Sequence, residues 1–222
     1  MYQDQINAYF DDPARRQQLV EAISRLVRIR SVREEAQPGM PFGPGPAAAL
    51  AEGLKLAEEL GFSVKNYDNY VGAVDFNDQE TQLHILCHLD VVGEGTGWTV
   101  TEPYEPIEVD GMLYGRGTDD DKGPVAAVLL AMQAVRDLGV PLKKNVRLLL
   151  GTDEESGSED IAYYYSKEPY APCTFSPDGE FPVINLEKGS YKPVFTKTWA
   201  AESASKAPVF IAPAMDLDMF AH

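Results

Sequence analysis

The 222-residue chain carries 19 Lys and Arg against 35 Asp and Glu, a formal net charge of −16, which argues against nucleic acid or an anionic membrane surface as partner. With 44% hydrophobic and 24% charged residues it has the make-up of an ordinary globular chain, long enough for one large domain or two small ones. No run approaches the roughly 18 apolar residues of a membrane span, and Cys87 and Cys173 supply neither a disulfide framework nor a CxxC zinc site.

The first segment, MYQDQINAYFDDPARRQQLV, lacks the basic-then-apolar order of a signal peptide, so the expected compartment is the cytoplasm. Asp11-Asp12-Pro13 predicts a helix start, a carboxylate cap with proline in the first turn. Leu19, Val20, Ile23, Leu26 and Val27 then recur at helical spacing. QPGMPFGPGP reads as a loop leading to a second helix, AAALAEGLKLAEEL, closed by Gly61. FSVKN, YVGAVDF and TQLHILCHLD read as strands, and Asp110-Gly111 between two short extended runs predicts a hairpin. PVAAVLLAMQAVRDLG predicts a buried helix ending at Gly139. NVRLLLGTDEES is then a strand with an acidic end, EDIAYYYSK a short helix and FPVINLEKG a strand. Strands alternating with apolar helices predict an α/β fold, a three-layer sandwich around a mostly parallel mixed sheet. In such sheets ligands gather at the carboxyl ends of the strands.

Those ends are acidic. His88 and Asp90 close HILCHLD; Asp153, Glu154 and Glu155 close LLLGTDEES; Asp178 follows CTFSP; and GRGTDDDKGP places Asp119, Asp120 and Asp121 directly before a helix. Capping a helix dipole is worth ~0.3–1 kcal/mol per carboxylate and explains one or two aspartates there, not three. If the ends converge, so many carboxylates beside an imidazole require a neutraliser, and a divalent metal is the economical one. His with carboxylates suits zinc, manganese or cobalt better than calcium. Taken singly, each piece is bland: a His-x-Asp pair is more often a surface or capping feature, and adjacent glutamates are usually solvated. His84 shares a strand face with His88 but lies mid-strand, and reads as an ordinary half-buried residue.

In order and spacing, HILCHLDVVGEGTGW, LYGRGTDDDKGP, LLLGTDEESGSED and FSPDGEFPVINLEKG resemble the dinuclear zinc metallopeptidases of the aminoacylase, carboxypeptidase-G and carnosinase type. The likeness is closest to bacterial dipeptidases that cleave Xaa-Xaa and β-Ala-His substrates. PFGPGPAAALAEGLKLAEELGF shares it, so the resemblance covers residues 1–197; Gly93 stands where many relatives have proline. It implies two zinc ions, with manganese or cobalt as alternatives, and a dipeptide substrate. His88 and Asp178 would bind one metal, Glu155 the other, and Asp120 would bridge them. Asp90 would hydrogen-bond His88 and fix its tautomer, Glu154 would be the general base, and the bond after Asp120 would be cis. Asp119 and Asp121 would form the turn and cap around Asp120.

Two family features are missing: a downstream histidine ligand, since the only histidines are His84, His88 and His222, and a lid domain that would begin after LEKGSYKPVF. Residues 198–222 are expected to be an unrelated or misassembled tail. Their APVFIAPAMDLDMFAH resembles the PAM segment of phosphopantothenoylcysteine decarboxylase flavoproteins, where many members have Asn at Asp216. The expectation is an amino-terminal part of a catalytic domain, truncated before the lid, with weak or no dipeptidase activity. The alternatives are an acyl-amino-acid deacylase of the same family, a non-catalytic metal-binding piece and a flavoprotein piece; oligomeric state stays open.

Overall fold

The computed structural model describes residues 2–179 and 184, so the expected strand FPVINLEKG, apart from Ile184, and the whole of residues 198–222 lie outside the described residues. Helices α1 (Tyr2–Phe10), α2 (Pro13–Val27) and α3 (Pro44–Glu59) precede strands β1 (Ser63–Tyr67), β2 (Val71–Asp75) and β3 (Thr81–His88). The hairpin β4 (Ile107–Val109) and β5 (Met112–Tyr114) leads to α4 (Lys122–Asp137) and β6 (Asn145–Gly151). A 3-10 turn (Glu154–Ser156), α5 (Glu159–Tyr165) and β7 (Cys173–Phe175) follow.

Local chemistry accounts for most boundaries. Asp12 caps α2 by accepting the Ala14 N–H at 2.9 Å. α3 begins at Pro44, earlier than the alanine run suggests, because prolines in a first turn forfeit no intrahelical bond. Gly61, at φ +86°, ends it. α1 is not foreshadowed in the sequence; it buries no residue, so it has no apolar stripe to betray it.

The sheet has the order β1-β2-β6-β3-β7. It is mixed: β3 runs parallel to β6 and β7, whereas β2 is antiparallel to both β1 and β6. The β1–β2 reversal is tight because Asp68 and Asn69 both take positive φ, +52° and +61°, at the centre of a turn closed by the Tyr70 N–H on the Tyr67 carbonyl at 2.9 Å. Alternate side chains separate two cores. Leu148, Leu150, Ile85 and Cys87 pack with α2, α3 and α4, whereas Leu149, Tyr67, Val71 and Ala73 pack with Tyr164 of α5 on the opposite face. That makes three layers, and each fully buried leucine contributes about 1.5–3 kcal/mol over an exposed one. Among the described residues no helix is long and apolar enough to cross a membrane.

Candidate metal centre

His88 is the last residue of β3 and stands in register with Gly151, the last of β6. The two parallel strands therefore deliver His88 and the Glu154–Ser156 turn to the same end of the sheet. β7, paired to β3 through Ile85 and Phe175, brings Asp178 there, and the loop before α4 brings Asp120, whose peptide bond to Asp121 is cis.

His88 Nε2 lies 3.1 Å from Asp120 Oδ1 and 3.3 Å from Asp178 Oδ2. It is buried and makes no hydrogen bond, so the two oxygens flank the ring nitrogen rather than lie along an N–H direction. Among the described residues, His88, Asp120 and Asp178 offer ligand-type atoms within 4.8 Å of one another. Donor atoms ~2.0–2.2 Å from a tetrahedral ion stand ~3.3–3.5 Å apart, so the spacing fits a shared cation. At the other ring nitrogen, Nδ1 faces the Asp90 carbonyl at 3.0 Å and the Asp90 carboxylate at 3.4 Å. With the proton on Nδ1, the Nε2 lone pair confronts two carboxylates, an arrangement that demands a positive charge between them. With no cation there the ring itself takes up that charge: burial opposes it, but Asp90, Asp121 and Asp178 outweigh burial and hold the His88 pKa up at about 10.

The neighbouring carboxylates have separate jobs. Asp90 is fully buried, and its carboxylate accepts the backbone N–H of Glu154 at 3.2 Å and of Glu155 at 3.1 Å. Toward His88 Nδ1 it presents both its main-chain oxygen, at 3.0 Å, and its carboxylate, at 3.4 Å. Asp121 stands at the N-cap position of α4 without making a side-chain cap; its Oδ2 instead accepts the His88 N–H at 2.9 Å. Burial first of all pushes Asp121 up to about 7. Glu154 and Glu155 are not in the three-residue cluster, yet burial, and then the surrounding carboxylates including Asp120, raise both pKa values. A cavity of about 220 Å³ beside the cluster is lined by Leu86, His88, Glu154, Ser158, Ile161 and Asp178. A larger recess of about 360 Å³ around Trp98 and Arg116 holds none of the cluster residues.

His84 is more buried than expected and meets the Tyr165 hydroxyl at 3.0 Å on Nδ1. Four supporting residues are not marked by the sequence. Asp160 is buried and accepts N–H groups from Thr152 and Asp153; its Oδ2 lies only 2.6 Å from where a Cβ at position 151 would be, so a side chain there would push this carboxylate off its hydrogen bonds. Lys122, fully buried, donates from Nζ to the Ile29 carbonyl at 2.7 Å, and burial pushes its pKa down to about 7. Ser31 and Arg33 belong to the segment after α2. Lys122, Ser31 and Arg33 each act on a distant stretch of chain, so no local pattern singles them out.

The model of peptidase family M20/M25/M40 matches residues 84–194, half of the chain and the stretch that contains every residue of the cluster. The chain belongs to this family. The Bacillus subtilis (strain 168) protein named "Putative dipeptidase YtjP" is 40% identical over 177 residues, 79% of this chain and 38% of that protein. The chain thus spans under two-fifths of the length of that relative. Human carnosine dipeptidase 1 superposes with a TM-score of 0.63 at 26% identity, covering 76% of this chain and 38% of that one. The fold is also that of the Bacillus subtilis YXEP protein, described as a dinuclear metal binding peptidase of the M20 family. It has a TM-score of 0.54 at 12% identity, over 74% of this chain and 43% of that one. The α/β fold is that of the family's catalytic domains.

Proposed function

We propose that this chain forms part of a metal-dependent dipeptidase. The observation that carries the reading is His88 Nε2, buried, without a hydrogen bond, and flanked by the carboxylates of Asp120 and Asp178. His88, Asp120 and Asp178 would hold one divalent ion. Asp120, the most exposed of the three, would be shared with a second ion held by Glu155. Zinc suits such a mixed set, as do manganese and cobalt. When bound, the metal supplies Lewis-acid polarisation of the scissile carbonyl and acidifies water.

The chain's own groups do the rest. Glu154 lines the cavity beside the cluster and serves as general base, taking a proton from water and returning it to the leaving amine. Asp90 holds the amides of Glu154 and Glu155 and thereby aims both side chains. Asp121 fixes the His88 backbone. The dipeptide substrate is supported by the family and by the names of the relatives.

The test is metal content after loading with zinc and desalting, with hydrolysis of alanine-containing dipeptides followed on the same sample. At least one bound equivalent that disappears in His88→Ala, with turnover lost in Glu154→Gln at unchanged metal content, is the expected result. Metal content equal in wild type and His88→Ala would sink the reading.

A further inference from the structure

The segment Ile29–Arg33, leaving α2, touches three of the four stretches that feed the candidate centre, all but the one that carries Asp178. The Ile29 carbonyl takes the Lys122 Nζ at 2.7 Å, beside Asp120 and Asp121. Ser31 is buried; its hydroxyl donates to the Leu89 carbonyl at 2.6 Å, and its own carbonyl accepts the Val91 N–H at 3.2 Å, on either side of Asp90. Arg33 reaches the third stretch: Nη1 donates to Asp153 Oδ1 at 2.6 Å and Nη2 to Glu159 at 3.2 Å. The guanidinium lies over the buried Phe42 ring, 4.9 Å from its centroid, which fixes its plane.

Asp153 is the residue on which the Glu154–Glu155 turn hangs. Its side chain is fully buried, Oδ2 accepts the Glu159 N–H at 3.1 Å, and its carbonyl accepts from Ser156 and Ser158. Arg33 is the cation on Asp153, across 120 positions of sequence. A buried carboxylate stripped of its partner is costly and rearranges. Rearrangement here moves the two residues that follow it.

We infer that Arg33 is a positioning residue that sets the place of Glu154 and Glu155 by anchoring Asp153. The functional weight of those two glutamates rests on the dipeptidase reading; the mechanical claim does not. Arginine is specific to the task, because its planar fork serves Asp153 and Glu159 together, which a lysine point charge does not.

The experiment compares the full chain with Arg33→Met, Arg33→Lys and, as a control, Arg147→Met, whose guanidinium pairs with Asp75 away from this turn. Hydrogen exchange is read on the peptide covering residues 152–159, and cobalt affinity by competition with a chromophoric chelator. In Arg33→Met, exchange at the Glu154, Glu155 and Ser158 amides should rise at least tenfold relative to the rest of the chain. Cobalt affinity should fall about 10–100-fold, the range for loss of a residue that orients a metal ligand. Arg33→Lys should recover part of both, and Arg147→Met should move neither beyond its global loss of stability. Protection at 154–158 that follows the rest of the chain in both Arg33 variants would overturn the inference, and Arg33→Lys alone decides it should Arg33→Met not fold. A wild-type chain without cobalt affinity would instead count against the dipeptidase reading, and hydrogen exchange would then decide the role of Arg33.

Discussion

The carboxylate of Asp90, at the end of one strand, accepts the backbone N–H groups of both Glu154 and Glu155, beyond the end of its neighbour, at 3.2 and 3.1 Å. One buried acid thereby ties the histidine motif to the diglutamate motif. Asp90→Asn keeps one acceptor and turns an amide NH2 toward a backbone N–H. The expected cost is about 1–3 kcal/mol in folding stability, measured by urea unfolding, together with about 10–100-fold weaker metal binding. Unaltered metal affinity would mean the clamp serves the fold alone.

Under the proposed function, Glu154 and His88 would separate chemistry from binding. Glu154→Gln is expected to retain metal and lose about 10²–10⁴ in turnover, whereas His88→Ala is expected to lose the metal itself. Elemental analysis and amine release on the same preparations distinguish the two. Equal metal loss in both variants would argue that Glu154 is a ligand and not a base.

Gly123 packs against the loop that carries Asp120. A Cβ there would collide with the Thr118 carbonyl oxygen, which is backbone and has nowhere to go. Gly123→Ala should therefore shift the loop, lower the melting temperature and weaken metal binding together. Calorimetry with and without zinc reads both; a variant as stable and as metal-responsive as wild type would refute the close approach.

Arg147 binds Asp75 from Nε at 2.7 Å and from Nη2 at 3.0 Å, and Nη1 donates to the Tyr164 hydroxyl. Both charged side chains are about four-fifths buried. Arg147→Met leaves Asp75 with the Asn145 amide as donor but no cation and should cost about 1–3 kcal/mol, seen as an earlier urea midpoint, while metal binding stays intact in the folded fraction.

At high pH two tyrosines respond to the fold. Burial, and then a hydrogen bond to a carboxylate, push Tyr9 (beside Asp137) and Tyr104 (beside Glu94) up to about 12. The folded state therefore holds these phenolic protons more tightly than the unfolded chain. Their contribution to stability is complete below pH about 10 and is lost as pH rises through about 12. Phenolate absorbance should show Tyr9→Phe and Tyr104→Phe each removing one late-titrating group; removal of an early-titrating one instead would contradict the assignment.

Much of this architecture is written in short-range pattern. PVAAVLLAMQAV announces α4, Asp110-Gly111 announces the β4–β5 turn, and Asp12-Pro13 announces α2, because caps, turns and apolar stripes act within a few residues. The acidic strand ends are equally visible, and His88, Asp120 and Asp178 do meet. The β1–β2 reversal is not, since Asp68-Asn69 lacks the glycine that usually advertises positive φ. Nor are the tasks of Asp90, Asp121 and Arg33 legible: each is decided by a hydrogen bond to a stretch dozens of residues away. A sequence supplies the donors and acceptors, but the register of β3 on β6 chooses which of them meet.

His88, Asp120 and Asp178 come from three separate stretches of chain, so the denatured polymer offers a cation no preformed cluster. An ion that recognises them recognises only the finished tertiary structure, and mass action then favours folding in full. At a free concentration one hundred times its dissociation constant such an ion adds about 2.7 kcal/mol. Metal supply would thus set how much of the chain stays folded in the cell, and how much is left open to proteases.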